Sequence, residues 1–576
     1  MLGALLRRLR RRAGNDVDGL VHEGAALRKA GRLPEAEAAV RRALALAPAS
    51  AQVHVQLGVV IAGRGRFDEA TALFARAVKL DPDDPFAHMN LANTYRRRGI
   101  IDQALAHYRA AVRLEPNLIA AWSNMLRPAL DACDWTGAAR CLEVVLERRD
   151  RGDPDWPHYL APMDSLLVPL PAGVCREVAE FHAGHLDAAA PARRGARGAD
   201  GRLRIAYFSR DFRNHAVGQL ARALFGLHDR SRFEVLAYSY GRDDGSRYRE
   251  EIAATADRFA DVRAESPATT ASRIAADAVD ILIDLGGYTT DHRLAVLASR
   301  PAPVQVHYLG YPATLGARFV DYFVTDHAAS PPGQDALFTE RLVRLPECFM
   351  VSDPDQPVVD AAPSRAACDL PSDGPVLCAF HQAAKITPSV FDAWMEILRN
   401  VPDSVLWLRS AGAELARNLA AEARRRGVAP ERLVYAPNLA DKRGHVARMA
   451  AADLFLDTFG RYNGHSTVNE ALWAALPVVT VAGETFAARV AASLVAAAGV
   501  PELAESGPAG YIALAVRLAR DPAARAALRR RLNDTRGSAP LFDNTRTVRS
   551  LERAYEAMWA LHAAGKPAQT LSMAAS

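Results

Sequence analysis

The stretch NGHST, residues 463–467, lies between the apolar runs DLFLDT and LPVVTVAG. Both runs read as buried strands, and the residues after the turn read as a helix. A helix that opens just past a strand offers free backbone N–H groups and a partial positive charge, which suits a phosphate. Gly464 removes a side chain so that an anion can come close, and Ser466 and Thr467 supply a cap and hydroxyl donors. Glu470 stands about one turn into that helix and is placed to accept hydrogen bonds from a ribose. Taken alone, the stretch reads equally as a plain Ser/Thr N-cap. Two further turns add to it. HQAAKITPS (381–389) follows the strand-like run VLCAF and presents Gln382 and Lys385. An ammonium there would neutralise a diphosphate, above all one that departs as a leaving group. DKRGHVARM (441–449) follows RLVYAP and carries Lys442, His445 and Arg448 at spacings of three, so they share a helix face. His445 or Arg448 would pack on a nucleobase, and Lys442 would reach a phosphate or ribose. Three cation-rich turns at adjacent strand ends of one sheet point to a nucleotide diphosphate. Upstream, SRDFRNHAVGQL (209–220) also follows a strand and presents Asp211, Asn214 and His215. His215 fits a general base for an acceptor hydroxyl, since an unperturbed imidazole titrates near neutrality; a helix-capping or sugar-binding histidine is the alternative.

The elements that must hold these turns follow from hydrophobic period. RIAYFS, FEVLAYSY, VDILIDL, VQVHYLG and VDYFVTD are short strand-like runs, several separated by helical stretches such as VGQLARALFGL. A Pro/Asp-rich break, SDPDQPVVDAAPS, precedes a second alternation that runs to PVVTVAG. Alternating strand and helix predicts parallel, doubly wound sheets with ligands outside the carboxyl ends of the strands. Before them, four blocks of 34 residues begin at Val17. The eighth position holds Gly24, Gly58 and Ala92, the fifteenth Gly31, Gly65 and Gly99, and the twentieth Ala36, Ala70, Ala104 and Ala138. Small residues let two helices approach, the glycine supports the turn, and Pro48, Pro82 and Pro116 end the second helix. The sixth position carries His22, Gln56, Asn90 and Asn124, side chains able to bind an extended peptide backbone or simply to face water.

The expected division is a basic segment 1–16, repeats 17–152, bridging helices and a linker 153–201, a first lobe 202–356, a second lobe 357–540, a helix 541–565 crossing back to the first lobe, and a disordered tail 566–576. Charged residues make up 24% of the chain and the net charge is +5, too mild for a nucleic-acid binder of this length. The six cysteines show no metal-ligand spacing and read as reduced thiols of a cytoplasmic protein. No apolar run spans a bilayer, so no integral membrane contact is expected. D-x-D strings at Asp16–Asp18, Asp81–Asp83, Asp153–Asp155 and Asp353–Asp355 read as caps, turns and linkers rather than metal sites.

The tandem of 34-residue repeats with RPAPVQVHYLGYPATLG, FHQAAKITPSVFDAWMEILRNVPDSVLWL, NGHST and GETFAARVAAS closely resembles the protein O-GlcNAc transferase family over nearly all of residues 17–565. The resemblance implies an α-helical tetratricopeptide superhelix followed by two α/β Rossmann-like lobes, the GT-B glycosyltransferase fold. It implies an inverting enzyme that needs no metal or other cofactor and moves a sugar, N-acetylglucosamine above all, from its UDP donor to Ser/Thr of a protein bound by the repeats. By motif, Lys385 and Gln382 would meet the diphosphate, as would His465, Ser466 and Thr467. Lys442, His445 and Arg448 would hold the uridine, and Glu470 stands where the family usually has an aspartate on the ribose. His215 matches the active-site histidine, with Asp211 the other proposed base. GYPATLG replaces the family's GYPGTSG close to the sugar. Other donors (UDP-glucose to Asn, GDP-fucose to Ser/Thr), a non-catalytic repeat scaffold and a homodimer stay open.

Overall fold

The computed structural model describes residues 16–186, 201–358, 362–410, 412–439 and 441–574. The expected basic segment therefore lies outside the described residues up to position 15, and the expected linker does so over 187–200. Two compact units are formed: one holds the described residues of Met1–Tyr159 and Ala411–Leu419, the other those of Leu160–Ser410 and Ala420–Ser576.

The first unit is built from helix pairs, Val17–Lys29 with Leu33–Leu46, Ala51–Gly63 with Phe67–Leu80, Pro85–Arg97 with Ile101–Leu114, and Ile119–Asp131 with Trp135–Asp150. In the first two blocks the eighth position sits against the twenty-fourth. A Cβ on Gly24 would lie 2.3 Å from Val40 Cγ2, and one on Gly58 would lie 2.6 Å from the Phe74 ring. Gly31, Gly65 and Gly99 all take φ between +73° and +77°, the left-handed turn conformation that glycine adopts without steric cost. In the fourth block Cys133 occupies that place with φ of 51°, so the turn persists although its glycine is gone.

The second unit carries two parallel sheets. In the first, β1 (Leu203–Ser209), β2 (Phe233–Ser239), β3 (Arg258–Asp261), β4 (Ile281–Asp284), β5 (Val304–His307), β6 (Tyr322–Asp326), β7 (Arg341–Leu345) and β14 (Leu571–Ser572) run in the order β14-β7-β6-β5-β4-β1-β2-β3. In the second, β8 (Val376–Ala379), β9 (Val405–Arg409), β10 (Leu433–Ala436), β11 (Leu454–Leu456), β12 (Val478–Val481) and β13 (Ala504–Glu505) run β10-β9-β8-β11-β12-β13. β4, β5, β8, β11 and β12 are buried at every residue, as strands covered by helices on both faces must be. Each order reverses at one place, between β1 and β4 and between β8 and β11. Those switch points are where an open α/β sheet leaves a crevice for a ligand.

The sheets are joined through buried contacts. Phe486 packs on Phe323 and Phe349 at centroid distances of 5.0 and 5.1 Å, and Ser493 Oγ donates to Asp326 Oδ2 at 2.6 Å. The helix Asn544–Ala563 crosses back to the first sheet. Its Glu552 accepts from Asp229 N at 2.7 Å and meets His228 Nδ1 at 3.1 Å, and its Tyr555 hydroxyl meets that of Tyr207 at 3.2 Å. The tail expected to be disordered is ordered as far as it is described, because Leu571–Ser572 pairs in parallel with Val343 and Arg344 on the sheet edge.

Candidate active site

Lys385 ends a short 3₁₀ turn, Ala383–Lys385, just after β8, and its ammonium donates to Asn463 O at 2.9 Å. The same nitrogen lies 3.8 Å from the centroid of the Tyr462 ring, and that ring stacks on His465 at 4.8 Å. Lysine and histidine thus meet across the β8/β11 switch point. His465 is the N-cap of the helix Ser466–Trp473 and makes no side-chain cap bond; its Nε2 faces Ala487 O at 3.1 Å. Burial, aided by the Lys385 charge, holds the ring well below the usual histidine range, so it stays neutral. Ser466 and Thr467 occupy the first turn of this helix rather than its cap, which corrects the capping role expected of them. Gly464 also departs from expectation. A Cβ there would lie 2.6 Å from Val468 Cγ2, 2.8 Å from Asp457 Oδ1 and 3.1 Å from His381 Cε1, so crowding inside the protein demands the glycine. Asp457 is fully buried beneath the turn and accepts from Gly464 N at 2.7 Å, Thr458 N at 2.9 Å and Thr480 Oγ1 at 2.6 Å. Burial raises its carboxyl to about 7. Gln382, the residue before that 3₁₀ turn, is exposed.

The helix Lys442–Met449 presents the second cluster. His445 Nδ1 accepts from Arg448 at 2.7 Å, and Arg448 Cζ stands 4.6 Å over the Phe380 ring at the end of β8. Burial pushes His445 down to about 4, with Arg448 next in effect. Glu470 brings its carboxylate within 3.7 Å of Lys442 Nζ and 3.6 Å of His445 Nε2. Burial raises Glu470 above the ordinary carboxylate range, Lys442 opposing. The turn after β10 was expected beside the one after β8, but β9 lies between them. The end of β9 supplies Arg409, whose Nε donates to Asn438 Oδ1 at 2.8 Å.

In the first lobe, the helix Ala216–Leu227 is capped by His215, whose Nδ1 accepts from Val217 N at 3.3 Å. That hydrogen bond leaves the proton of the neutral ring on Nε2, so the ring is a donor there. It becomes a base at Nε2 only when Nδ1 carries the proton toward Asp211 Oδ2, 3.5 Å away. Burial lowers the His215 pKa against the pull of Asp211. Asp211 is buried and accepts from Arg213 at 2.9 Å; Asn214 is exposed, its amide N–H on Asp244 and its side-chain oxygen accepting from Gln219 at 2.9 Å. In the repeats, His22, Gln56, Asn90 and Asn124 fall at the same place on the first helix of each pair. His22 and Asn90 turn back on their own helices, to Asp18 O at 2.7 Å and Phe86 O at 2.8 Å.

The largest surprise is Asp353. Its D-x-D string does form a turn, with Asp355 N donating to Asp353 Oδ1 at 3.2 Å, yet it is no linker. Asp353 is 2% exposed, accepts from Arg222 at 2.6 Å, and bonds Lys442 Nζ at 2.8 Å. Asp81 and Asp153 make the simple turns expected of them. No group of three or more His, Cys, Asp or Glu placed to hold a metal occurs among the described residues. No helix among them is long and apolar enough to cross a membrane.

Comparison with known proteins adds an independent line. The family described as glycosyl transferase family 41 matches residues 132–361 and 354–551, and a tetratricopeptide repeat family matches 22–85 and 56–119. A probable UDP-N-acetylglucosamine–peptide N-acetylglucosaminyltransferase SEC of Arabidopsis thaliana is 38% identical over 374 residues, covering 64% of this chain and 38% of that protein. The UDP-N-acetylglucosamine–peptide N-acetylglucosaminyltransferase of Caenorhabditis elegans is 32% identical over 482 residues, covering 64% and 41%. The chain thus spans about two fifths of the length of these curated relatives. Among solved structures, a mutant of the Thermobaculum terrenum O-GlcNAc transferase superposes with a TM-score of 0.68 at 30% identity, covering 95% of this chain and 98% of that one.

Proposed function

Because the chain belongs to glycosyl transferase family 41, we propose that it is an inverting protein glycosyltransferase moving N-acetylglucosamine from UDP-N-acetylglucosamine to serine or threonine hydroxyls, with the repeats holding the acceptor. The observation that carries this reading is the gathering of Lys385, His465 and the start of the helix Ser466–Trp473 at the β8/β11 switch point, beside the cationic face of Lys442–Met449. In this reading the uracil lies near His445, Arg448 and Phe380, and the ribose faces Lys442 and Glu470. The diphosphate sits on Lys385, His465 and the N–H groups and hydroxyls of Ser466 and Thr467, with Gln382 at its edge. The acceptor oxygen attacks the anomeric carbon as the bond from that carbon to the β-phosphate oxygen breaks. UDP leaves with the bonding pair, and the hydroxyl proton passes to a base on the far side.

Side-chain cations and a helix N-terminus meet the charge that grows on the leaving group, so the chemistry needs no metal. Asp211 and His215 stand at the β1 end, the other switch point, where the acceptor would arrive with Asn214; His22, Gln56, Asn90 and Asn124 would bind its backbone. Purified full chain with a panel of UDP- and GDP-sugars tests the donor, and intact-mass spectrometry of co-expressed proteins reports acceptor and added mass. A gain of one N-acetylhexosamine on Ser or Thr is the expected result. A chain that neither hydrolyses nor transfers any nucleotide sugar overturns the reading.

A further inference from the structure

Asp353 spends both oxygens. Oδ1 takes two bonds from the Arg222 guanidinium, at 3.1 Å from Nε and 2.6 Å from the terminal nitrogen, as well as Asp355 N. Oδ2 takes the Lys442 ammonium at 2.8 Å. A carboxylate filled in this way has nothing left for a ligand, and at 2% exposure it does not meet one. Arg222 in turn is held by Glu251 and by Asp355 at 2.8 Å, with Tyr248 5.3 Å from its guanidinium carbon, so it is a fixed anchor in the first lobe. Arg222 also lies on the helix that His215 caps.

The segment around Asp353 grips the second lobe at neighbouring points. Asn469 donates to Ser352 Oγ at 2.7 Å and accepts from Gln356 at 2.9 Å. Asn469 precedes Glu470 on the same helix, so one short stretch of chain fixes the backbone under Glu470 and the ammonium of Lys442. An ammonium has three donors. One is committed to Asp353, a second lies toward Glu470 at 3.7 Å, and a nucleotide oxygen would take the third.

We propose that Asp353 is a positioning residue for nucleotide binding: anchored by Arg222 of the first lobe, it holds the Lys442 ammonium where a ribose or phosphate oxygen of the nucleotide meets it. This rests on the reading of Lys442 as a nucleotide contact. It makes the nucleotide pocket of one lobe depend on a cation of the other. Burial opposes the charge on Asp353, but Lys442 and Arg222 outweigh it and keep the carboxyl below its ordinary range, so the anchor stays ionised at neutral pH.

The test is a double-mutant cycle on the full chain, with UDP affinity read by calorimetry. Asp353→Asn keeps the shape and removes the charge, and Lys442→Met removes the ammonium. Each single change is expected to weaken UDP about tenfold, and the double variant is expected to bind within twofold of Lys442→Met, since the carboxylate acts only through the lysine. In turnover, Asp353→Asn raises the donor KM about tenfold and changes kcat less than threefold. If Asp353→Asn fails to fold, Asp353→Glu, which keeps the charge but displaces it, replaces it in the same cycle with the same non-additivity. Losses that multiply in the double variant, or unchanged UDP affinity in the Asp353 variant, overturn this inference alone. Unchanged affinity in Lys442→Met overturns it together with the nucleotide reading beneath it.

Discussion

Replacing Lys385 with methionine isolates a charge. The thioether keeps the apolar stem of the side chain beside the Tyr462 ring, 3.8 Å from the present ammonium, and removes the terminal cation with its bond to Asn463 O. Lys385 is partly buried, so its field is neither that of bulk water nor that of a dry interior. At an effective dielectric of about 20, two unit charges about 4 Å apart interact by about 4 kcal/mol. The β-phosphate gains charge only as the glycosidic bond breaks, so most of that energy belongs to the transition state. Dividing by about 1.4 kcal/mol per decade predicts a kcat lower by roughly 10³, with UDP-sugar affinity reduced by about tenfold or less. Single-turnover transfer at saturating donor gives the rate, and calorimetry with a non-hydrolysable UDP-sugar analogue, whose β-phosphate keeps the ground-state charge, gives the affinity. A thermal midpoint near that of the wild type confirms that the fold is intact. A kcat within tenfold of the wild type, or a loss carried wholly by KM, refutes the placement of this cation at the leaving group.

Three further outcomes follow from the geometry. Gly464→Ala drives a methyl into Val468, Asp457 and His381, and overpacking of this kind costs about 1–3 kcal/mol; denaturant titration should show that loss together with weakened UDP binding. His215→Asn keeps a good helix cap, so stability should stay within about 1 kcal/mol while transfer falls. Because the folded His215 pKa is lowered, the neutral ring persists at pH 7, and any acid limb in the wild-type rate lies below the ordinary histidine range and vanishes in the variant. Glu552, its side chain wholly enclosed, is held at about 2 because His228 and Asp229 N, with Arg549, outweigh the burial that would raise it from 4.5. A depressed carboxylate contributes stability that is complete above about pH 4.5 and lost as pH falls toward 2, here about 3 kcal/mol. Urea midpoints across that window should fall steeply in the wild type and less steeply in Glu552→Gln.

Much of the architecture was legible because it is local. Gly31, Gly65 and Gly99 recur where the backbone must turn left-handed, and Ala36, Ala70 and Ala104 recur where helices touch, so a period of 34 residues announces itself. Most buried strands were equally plain as apolar runs, but β7, RLVRL, was missed because its arginines break the run although four of its five residues are buried. β3, with two of its four residues exposed, and the two-residue β13 and β14 were not plain either, since pairing at a sheet edge leaves little hydrophobic signal. The candidate residues named from sequence are those whose type puts a charge, hydroxyl or amide at a strand end. Those missed gain their meaning from distant partners: Asp353 from Arg222 and Lys442, 131 and 89 positions away, and Asp457 from a turn that closes over it. Phe380, an aromatic ending a strand of the nucleotide lobe, and Tyr462, next to the NGHST turn, were the two signals available and unused.

The helix Asn544–Ala563 has a consequence for the order of assembly on the ribosome. Tyr207 and His228 of the first lobe find Tyr555 and Glu552 only after 348 and 324 further residues have been added. At about 5–20 residues per second, that wait lasts roughly 17–70 s. During it the first lobe carries an unfilled apolar face, whereas the core strands of the second lobe, β8 to β12, lie within a little over a hundred residues of one another. The lobe translated second is therefore the one able to mature first, and the lobe translated first is finished only by the last long helix and the edge strand β14 that follows it.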